Sequence, residues 1–299
     1  MTVPPSHSFA AARVSPWMPG LAAGLASAEW TRIERAFGLD RGSYGTARYV
    51  QRDRFAPRCA LGDVIPPSGF GSLGPVVVEE LDLDTSAPYR AMGLEFAATD
   101  DVVRTNAASR LVAALATISS VPDLAMALGH LLGAIHVLQP PGADYDVSHS
   151  DPDIPFSVFV GVSLEPGPLD RLRLAEELVH ECMHLQLTLL EAWRPLVCGI
   201  EELHPSPWQG RPRPTRGVLH GFYVFAALDA FFSRLVASGG LDPMEAAHVI
   251  ARRREIVREL AVAAGGLARS CELTDEGRSL VAELCRGRLP EGGRVAARV

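Results

Sequence analysis

The residues with the clearest chemical potential are two histidines, His180 and His184, which stand four positions apart with Glu181 between them. One turn of an α-helix takes about 3.6 residues, so both imidazoles would leave the same helix face at the spacing that two histidines need to bind one metal ion. The surrounding residues 171–191 lack proline and glycine and carry a dense apolar pattern, which predicts a buried helix. Polar side chains are costly to bury in such a run without a partner, and a metal ion supplies one. HExxH is a short motif, and the alternative is a pair of solvated histidines.

A catalytic metal site needs a third protein ligand and keeps positions open for water or substrate. The candidates downstream of the motif are Glu191, Glu201, Glu202, His204 and His220. Glu191 lies two turns beyond His184, too far along the helix axis for the same ion, whereas the next three lie in an irregular segment and could swing towards it. His220 begins a predicted helix in which Gly217 and Gly221 share a face and would let another helix approach closely. Three imidazole nitrogens suit zinc, iron, copper or nickel, so the ligand set alone leaves the metal open.

Glu181 has a predicted role beside such a site without being a ligand. It could hold a metal-bound water or act as a general base. Glu177, one turn earlier, either orients a histidine ligand or is an exposed helix charge. Cys182 points away from both histidines on a helix, so we predict that it packs in the core.

Three arginines follow Trp208 in a proline-stiffened loop that leads into the predicted His220 helix, namely Arg211, Arg213 and Arg216. Guanidinium groups near a metal are suited to holding a carboxylate through two parallel hydrogen bonds. The pattern therefore indicates an anionic substrate or cosubstrate, with a solvated basic loop as the alternative.

The elements that must position these residues are mostly helical. Apolar periodicity predicts helices at residues 21–38, 100–120, 122–138, 171–191, 217–235, 242–264 and 273–286. Residues rich in β-branched side chains predict strands in PVVVEELDLD and FSVFVGVSL. Long irregular stretches are predicted at residues 140–155 and 195–217, and loops of that length are often functional.

These patterns predict a mainly α fold (α+β) with a few short strands and a metal site between two helices. No internal repeat or linker is visible, so we expect a single catalytic domain over residues 21–288, with the metal site carried by residues 130–235. Residues 1–20 and 289–299 are expected to be flexible.

The composition narrows the class of protein. The 299 residues are 47% hydrophobic and 21% charged with a net charge of −7, which argues against nucleic acid or an anionic membrane as a partner. We see no signal peptide and no apolar run of membrane-spanning length. Five scattered cysteines without CxxC pairs favour a reducing cytoplasm, so the predicted location is cytoplasmic.

Beyond the motif itself, longer stretches of the chain resemble a known family. The resemblance covers about residues 130–235, and HExxH is its weakest part, since the PWQGRPRP stretch followed by LHG is more specific. The chain here resembles the HEXXH-motif proteins found beside ribosomally made peptide natural-product pathways. The segments that carry this resemblance are IHVL, SHSDPDIPFSVFV, RLAEELVHECMHLQLTLLEAWRPL and SPWQGRPRPTRGVLHGFYVF.

Members of that family are thought to be iron(II)- and 2-oxoglutarate-dependent peptide β-hydroxylases that lack the usual jelly-roll fold. The resemblance implies a peptide substrate, as a leader-bearing precursor, and a hydroxyl group added to the β-carbon of one of its residues. It also implies roles for particular residues: His180, His184 and His220 as iron ligands; Arg213, Arg216 and Tyr223 in binding 2-oxoglutarate; His149, Asp151 and Trp208 as substrate contacts. It does not say which arginine holds the cosubstrate carboxylate.

Two other functions remain open from the sequence. A zinc metallopeptidase would use Glu181 to activate a zinc-bound water, although the extended HExxHxxGxxH spacing is absent because Leu187 and Leu190 occupy those positions. A non-catalytic binding module would hold a structural metal or none, and structural sites normally use four ligands.

Overall fold

The computed structural model describes most of the chain, namely residues 16–37, 48–51, 54–57, 59–65, 76–81, 83–97, 101–140, 147–163, 167–286 and 288. The fold divides into two compact units. We call Trp17–Leu189 the sheet unit and Leu190–Val299 with Met1–Pro16 the helical unit, and describe each by itself. Of the predicted flexible segment at residues 1–20, residues 1–15 lie outside the described residues, as do residues 289–299. The prediction is wrong for the end of the first segment, because Trp17 is buried and helix α1 begins at Pro19.

The prediction of a mainly α fold with a few short strands, unlike a jelly-roll, is confirmed. The helices are α1 (Pro19–Phe37), α2 (Leu83–Ala91), α3 (Asp101–Ser119), α4 (Pro122–Leu131), α5 (Asp170–Trp193), α6 (Thr215–Ser238), α7 (Pro243–Leu267) and α8 (Asp275–Cys285). The strands are β1 (Arg48–Gln51), β2 (Arg54–Pro57), β3 (Cys59–Ile65), β4 (Val76–Glu80), β5 (Ala134–Leu138), β6 (Ser148–Ser150), β7 (Ser157–Gly161), β8 (Leu203–His204) and β9 (Arg213–Pro214).

The sheet unit is organised around a five-stranded mixed sheet in the order β3-β4-β5-β7-β6. The central pairs β4–β5 and β5–β7 are parallel, and the outer pairs β3–β4 and β6–β7 are antiparallel. Strands β4, β5 and β7 are almost entirely buried, as expected of parallel strands rich in valine and isoleucine.

The prediction that one helix runs from Pro122 to Leu138 is wrong. Helix α4 ends at Leu131, Leu132 is extended (φ −104°, ψ 106°), and the following AIHVL is the central strand β5. A short apolar run flanked by glycine and proline is compatible with a buried helix or a buried strand, and here pairing with two parallel neighbours decides for the strand.

The long loop predicted at residues 140–155 also contains structure, since the short strand β6 lies within it. Strand β3 and helix α2 were not predicted, because β3 falls in a Pro/Gly-rich region and α2 has an internal proline, Pro88. The remaining predicted helices and the two predicted strands are present with small shifts at their ends.

The side chains of β6 lie in two different environments, because alternate side chains of a strand point to opposite faces of the sheet. His149 pairs with Phe159, which pairs with His136, and the strand register places Glu79 next in the same row. Glu79, His136 and Phe159 are buried in this row. Ser148 and Ser150 therefore point to the other face of the sheet.

The core of the helical unit is α6, with Phe222, Tyr223, Phe231 and Phe232 fully buried. The next helix, α7, begins with a capping box in which the Asp242 side chain accepts from the Glu245 N–H and the Glu245 side chain accepts from the Asp242 N–H.

Within the described residues, α6 is the one helix long and apolar enough to cross a membrane, with a mean hydropathy of 1.3. Of that apolar window 61% is buried inside the protein, as in the core helix of a soluble protein.

Candidate functional site

The two histidines of the motif lie together on α5, as the sequence analysis predicts. Their ring centroids are 4.8 Å apart and the ring planes meet at 66°. The His180 side chain is 25% exposed. Cys182 is buried, and this burial raises the pKa of its thiol. Cys182 therefore packs in the core, as predicted, and the two imidazoles are close neighbours on one face of α5.

Glu181, between the histidines, is buried and accepts hydrogen bonds at both carboxylate oxygens. The Ser148 hydroxyl donates to Oε1 and the Ser150 hydroxyl donates to Oε2, each at 2.6 Å. The Nε2 atom of His180 is 4.0 Å from Oε1. Two hydrogen bonds from β6 thus hold the Glu181 carboxylate of α5 in place.

These two serines were missed by sequence reasoning. They lie more than thirty residues from Glu181 along the chain. Their one local signal is the S-x-S alternation, which places both hydroxyls on one face of a strand once the strand is recognised. The two serine hydrogen bonds fix the position of the Glu181 carboxylate and so of the turn of α5 that carries it.

His149 and Asp151, predicted as substrate contacts, both contact Tyr89. The Tyr89 hydroxyl donates to Asp151 Oδ2 at 2.8 Å, and the ring of Tyr89 packs edge-on against His149 with centroids 5.9 Å apart. His149 also contacts Phe159, 5.7 Å between centroids. The structure therefore places these two residues on the sheet face opposite Ser148 and Ser150.

His220, in the helical unit, is bound to a carboxylate. Its Nε2 is 2.9 Å from Glu191 Oε2, and the Arg216 Nε donates to the same oxygen at 2.8 Å. Burial acts to raise the pKa of Glu191, but the hydrogen bonds and charges of His220 and Arg216 outweigh it, so the pKa is lowered. Glu191 is therefore an ionised partner that fixes one ring nitrogen of His220.

The glycines that precede and follow His220 admit side chains rather than another helix, contrary to our expectation. A Cβ on Gly221 would lie 2.5 Å from the Trp208 ring, and one on Gly217 would lie 3.1 Å from Arg213 Nε. Both neighbours come from the segment that precedes α6, Trp208 from its irregular part and Arg213 from strand β9, and this segment folds back over the first turns of the helix.

Trp208 and Tyr223 are packing residues in this structure. The Trp208 ring stacks on Phe225 at 4.8 Å, and its Nε1 donates to Glu259 Oε2 at 3.1 Å. Tyr223 is buried, its hydroxyl donates to the Pro16 carbonyl at 2.7 Å, and burial raises its pKa. We therefore leave both out of the proposed site.

The other third-ligand candidates belong to a hydrogen-bond network within the helical unit. Glu202 accepts from the Cys271 thiol at 2.6 Å and from the Ser270 hydroxyl at 2.5 Å, and these bonds lower the pKa of Glu202 to about 2. His204 Nε2 is 3.1 Å from the Thr215 hydroxyl. The Glu201 N–H donates to Glu272 at 2.6 Å. These contacts tie the segment before β9 to the residues before α8.

Across the described part of the chain, no group of three or more His, Cys, Asp or Glu side chains is arranged to hold a metal ion. The donor chemistry of His180 and His184 fits two positions of a metal ion that accepts imidazole nitrogen. The third position predicted for His220 stays a prediction.

Replacing both Ser148 and Ser150 by alanine is expected to lower the free energy of unfolding by about 2–5 kcal/mol, because a buried carboxylate would lose both charge-assisted donors. Urea denaturation measures this change. The matched control is Ser120→Ala, which removes an exposed hydroxyl that donates to a main-chain carbonyl, and there we expect a change within about 0.5 kcal/mol. Equal stability of the two variants would contradict the contact.

No protein-family model matches the chain, and a search of curated proteins finds no significant match.

Proposed function

We propose that this protein is an iron(II)- and 2-oxoglutarate-dependent peptide β-hydroxylase that acts in the cytoplasm and takes its iron on His180, His184 and His220. The observation that carries the proposal is the state of Glu181. Both of its oxygens accept serine hydroxyls, while the His180 and His184 rings pack edge-on against each other with centroids 4.8 Å apart. A zinc peptidase needs this glutamate turned towards a metal-bound water, whereas an oxygenase needs only the histidines.

The metal and cosubstrate supply the chemistry: 2-oxoglutarate and dioxygen become succinate and carbon dioxide while one oxygen atom enters a C–H bond of the peptide. The chain's own contribution is to bind and orient. His180 and His184 supply two neutral nitrogens from one helix face, and Glu181, anchored to β6, fixes the helix turn that carries them.

The hydrogen bond between His220 and Glu191 supports the assignment of His220 as the third ligand. Histidines that bind metals usually give their second ring nitrogen to a carboxylate, which fixes the tautomer and the ring orientation. Glu191 is such a carboxylate, at 2.9 Å from Nε2. On this proposal, Nδ1 of His220 is the atom that binds the metal.

Of the two candidate arginines, we assign the 2-oxoglutarate carboxylate to Arg213. The Arg216 guanidinium already pairs with Glu191 and its side chain is 59% exposed. The Arg213 guanidinium lies against Gly217, in the first turns of α6 and one turn before His220. The N-terminus of a helix favours anions, so an arginine there is well placed for a dicarboxylate.

The test is peptide modification by the iron-loaded protein. Incubated with its precursor peptide, 2-oxoglutarate and air, the protein should add one oxygen atom to the peptide and release succinate, both detected by mass spectrometry. Arg213→Ala should raise the KM for 2-oxoglutarate about tenfold or more, since it removes a charge-assisted pair, whereas the exposed Arg211→Ala in the same loop should not. Peptide cleavage by the zinc-loaded protein, without succinate, would establish the peptidase instead.

A further inference from the structure

Strand β6 is an outermost strand of the five-stranded sheet. All three of its residues are half-exposed, and within the residues that the structure describes no strand pairs with its outer edge. The edge of a sheet presents unpaired N–H and carbonyl groups, which is the chemistry that binds another extended backbone.

The hydrogen-bond pattern identifies which backbone groups face outwards. The Gly161 N–H donates to the Val147 carbonyl at 2.7 Å, so Val147 and then His149 direct their peptide groups towards β7. In an antiparallel pair the intervening residues direct theirs away from the partner strand. The N–H and carbonyl groups of Ser148 and Ser150 therefore point to the outer edge.

The same two residues connect this edge to the histidine pair. Their side chains hold both oxygens of Glu181, which is the neighbour of His180 on α5. A chain that paired with the backbone of Ser148 and Ser150 would thus run beside the turn of α5 that carries the motif. Strand β3, the opposite edge of the sheet, is separated from β6 by three strands.

We propose that the outer edge of β6 binds the peptide substrate as an added strand, through backbone hydrogen bonds to Ser148 and Ser150. This inference rests on the proposed function in one respect, namely that the protein acts on a peptide. Recognition through the backbone is tolerant of sequence but requires an extended segment without proline at the paired positions. Alternate side chains of the bound segment face the α5 side of the sheet, so the modified residue is one of these.

The test compares Ser148→Pro with Ser148→Ala. Both variants lose the hydroxyl that binds Glu181, but only proline removes the outward N–H, and an edge strand tolerates proline at such a position. The probe is a fluorescein-labelled peptide selected on the wild-type protein from a pool of random dodecapeptides, and its binding is measured by fluorescence anisotropy without iron or 2-oxoglutarate. Ser148→Pro should bind the probe about tenfold more weakly than Ser148→Ala, because it lacks one backbone hydrogen bond and clashes with the added strand.

A second measurement uses the wild-type protein alone and so does not depend on a variant that folds. N-methylation of the probe at single peptide groups should weaken binding at alternate positions only, as expected for one edge of a strand. Equal binding by the proline and alanine variants, an N-methyl scan without alternation, or a pool that yields no binder would each overturn the proposal.

The outcomes distinguish a failure of peptide binding at the outer edge of β6 from a failure of the proposed function. One outcome is a probe that binds with the predicted dependence on Ser148 to a protein that never adds oxygen to any peptide. That result would overturn the proposed hydroxylase activity and leave the peptide-binding edge in place. A peptide that is hydroxylated equally well by Ser148→Pro and Ser148→Ala would do the reverse.

Discussion

His184→Ala should reduce iron(II) binding and succinate formation at least about a hundredfold, which exceeds the usual effect of removing a group that merely supports a ligand. The expectation follows from the rings of His180 and His184, whose centroids are 4.8 Å apart on one helix face. A single remaining imidazole from α5 would leave the metal with too few protein ligands. Metal content after reconstitution and succinate release measure the two effects.

The control for this variant is His130→Ala, which removes another half-buried histidine from a helix of the sheet unit. Metal content should be unchanged there. A His184→Ala protein that keeps its iron and its turnover would show that the motif is not the metal site.

Glu181→Ala should lower the free energy of unfolding by about 2–4 kcal/mol, because it leaves two serine hydroxyls without their acceptor next to a new cavity. Glu181→Gln retains one acceptor oxygen and the side-chain volume, so its cost should be about 1 kcal/mol. Chemical denaturation of the two variants measures this difference.

The glutamine variant also separates the two enzyme classes. If Glu181 positions the helix, hydroxylation should fall in proportion to the loss of stability and not vanish. If Glu181 is the general base of a peptidase, the glutamine variant should be fully folded and inactive. Normal stability with complete loss of turnover would contradict the positioning role.

The parts of this fold that the sequence predicts are those fixed by local periodicity. Helix α5 is an example, because its apolar pattern over residues 170–193 repeats with the helix period and no proline or glycine interrupts it. The spacing of the two histidines follows from that helix alone. The prediction for β5 is wrong for the converse reason. Its five residues, four of them apolar, are too few to show a period, and only the neighbouring strands define their conformation.

The environment of Glu181 could not be predicted, because it depends on contacts between distant parts of the chain. Ser148 and Ser150 reach the carboxylate only when β6 pairs with β7 in one register, and a shift by one residue would present His149 instead. The same register explains why His149 and Asp151 face Tyr89. Similarly, Gly221 follows the helix pattern in the sequence, but the ring that fills its space belongs to Trp208, in a loop of irregular backbone.

The most direct test of the central claim is anaerobic titration of the iron(II)-loaded protein with 2-oxoglutarate, followed by visible absorption spectroscopy. We predict a saturable metal-to-ligand charge-transfer band in the wild-type protein that is absent in His220→Ala and preserved in His204→Ala, whose imidazole contacts Thr215. An undiminished band in His220→Ala would remove that residue from the site. The absence of any band in the wild-type protein would contradict the proposal as a whole.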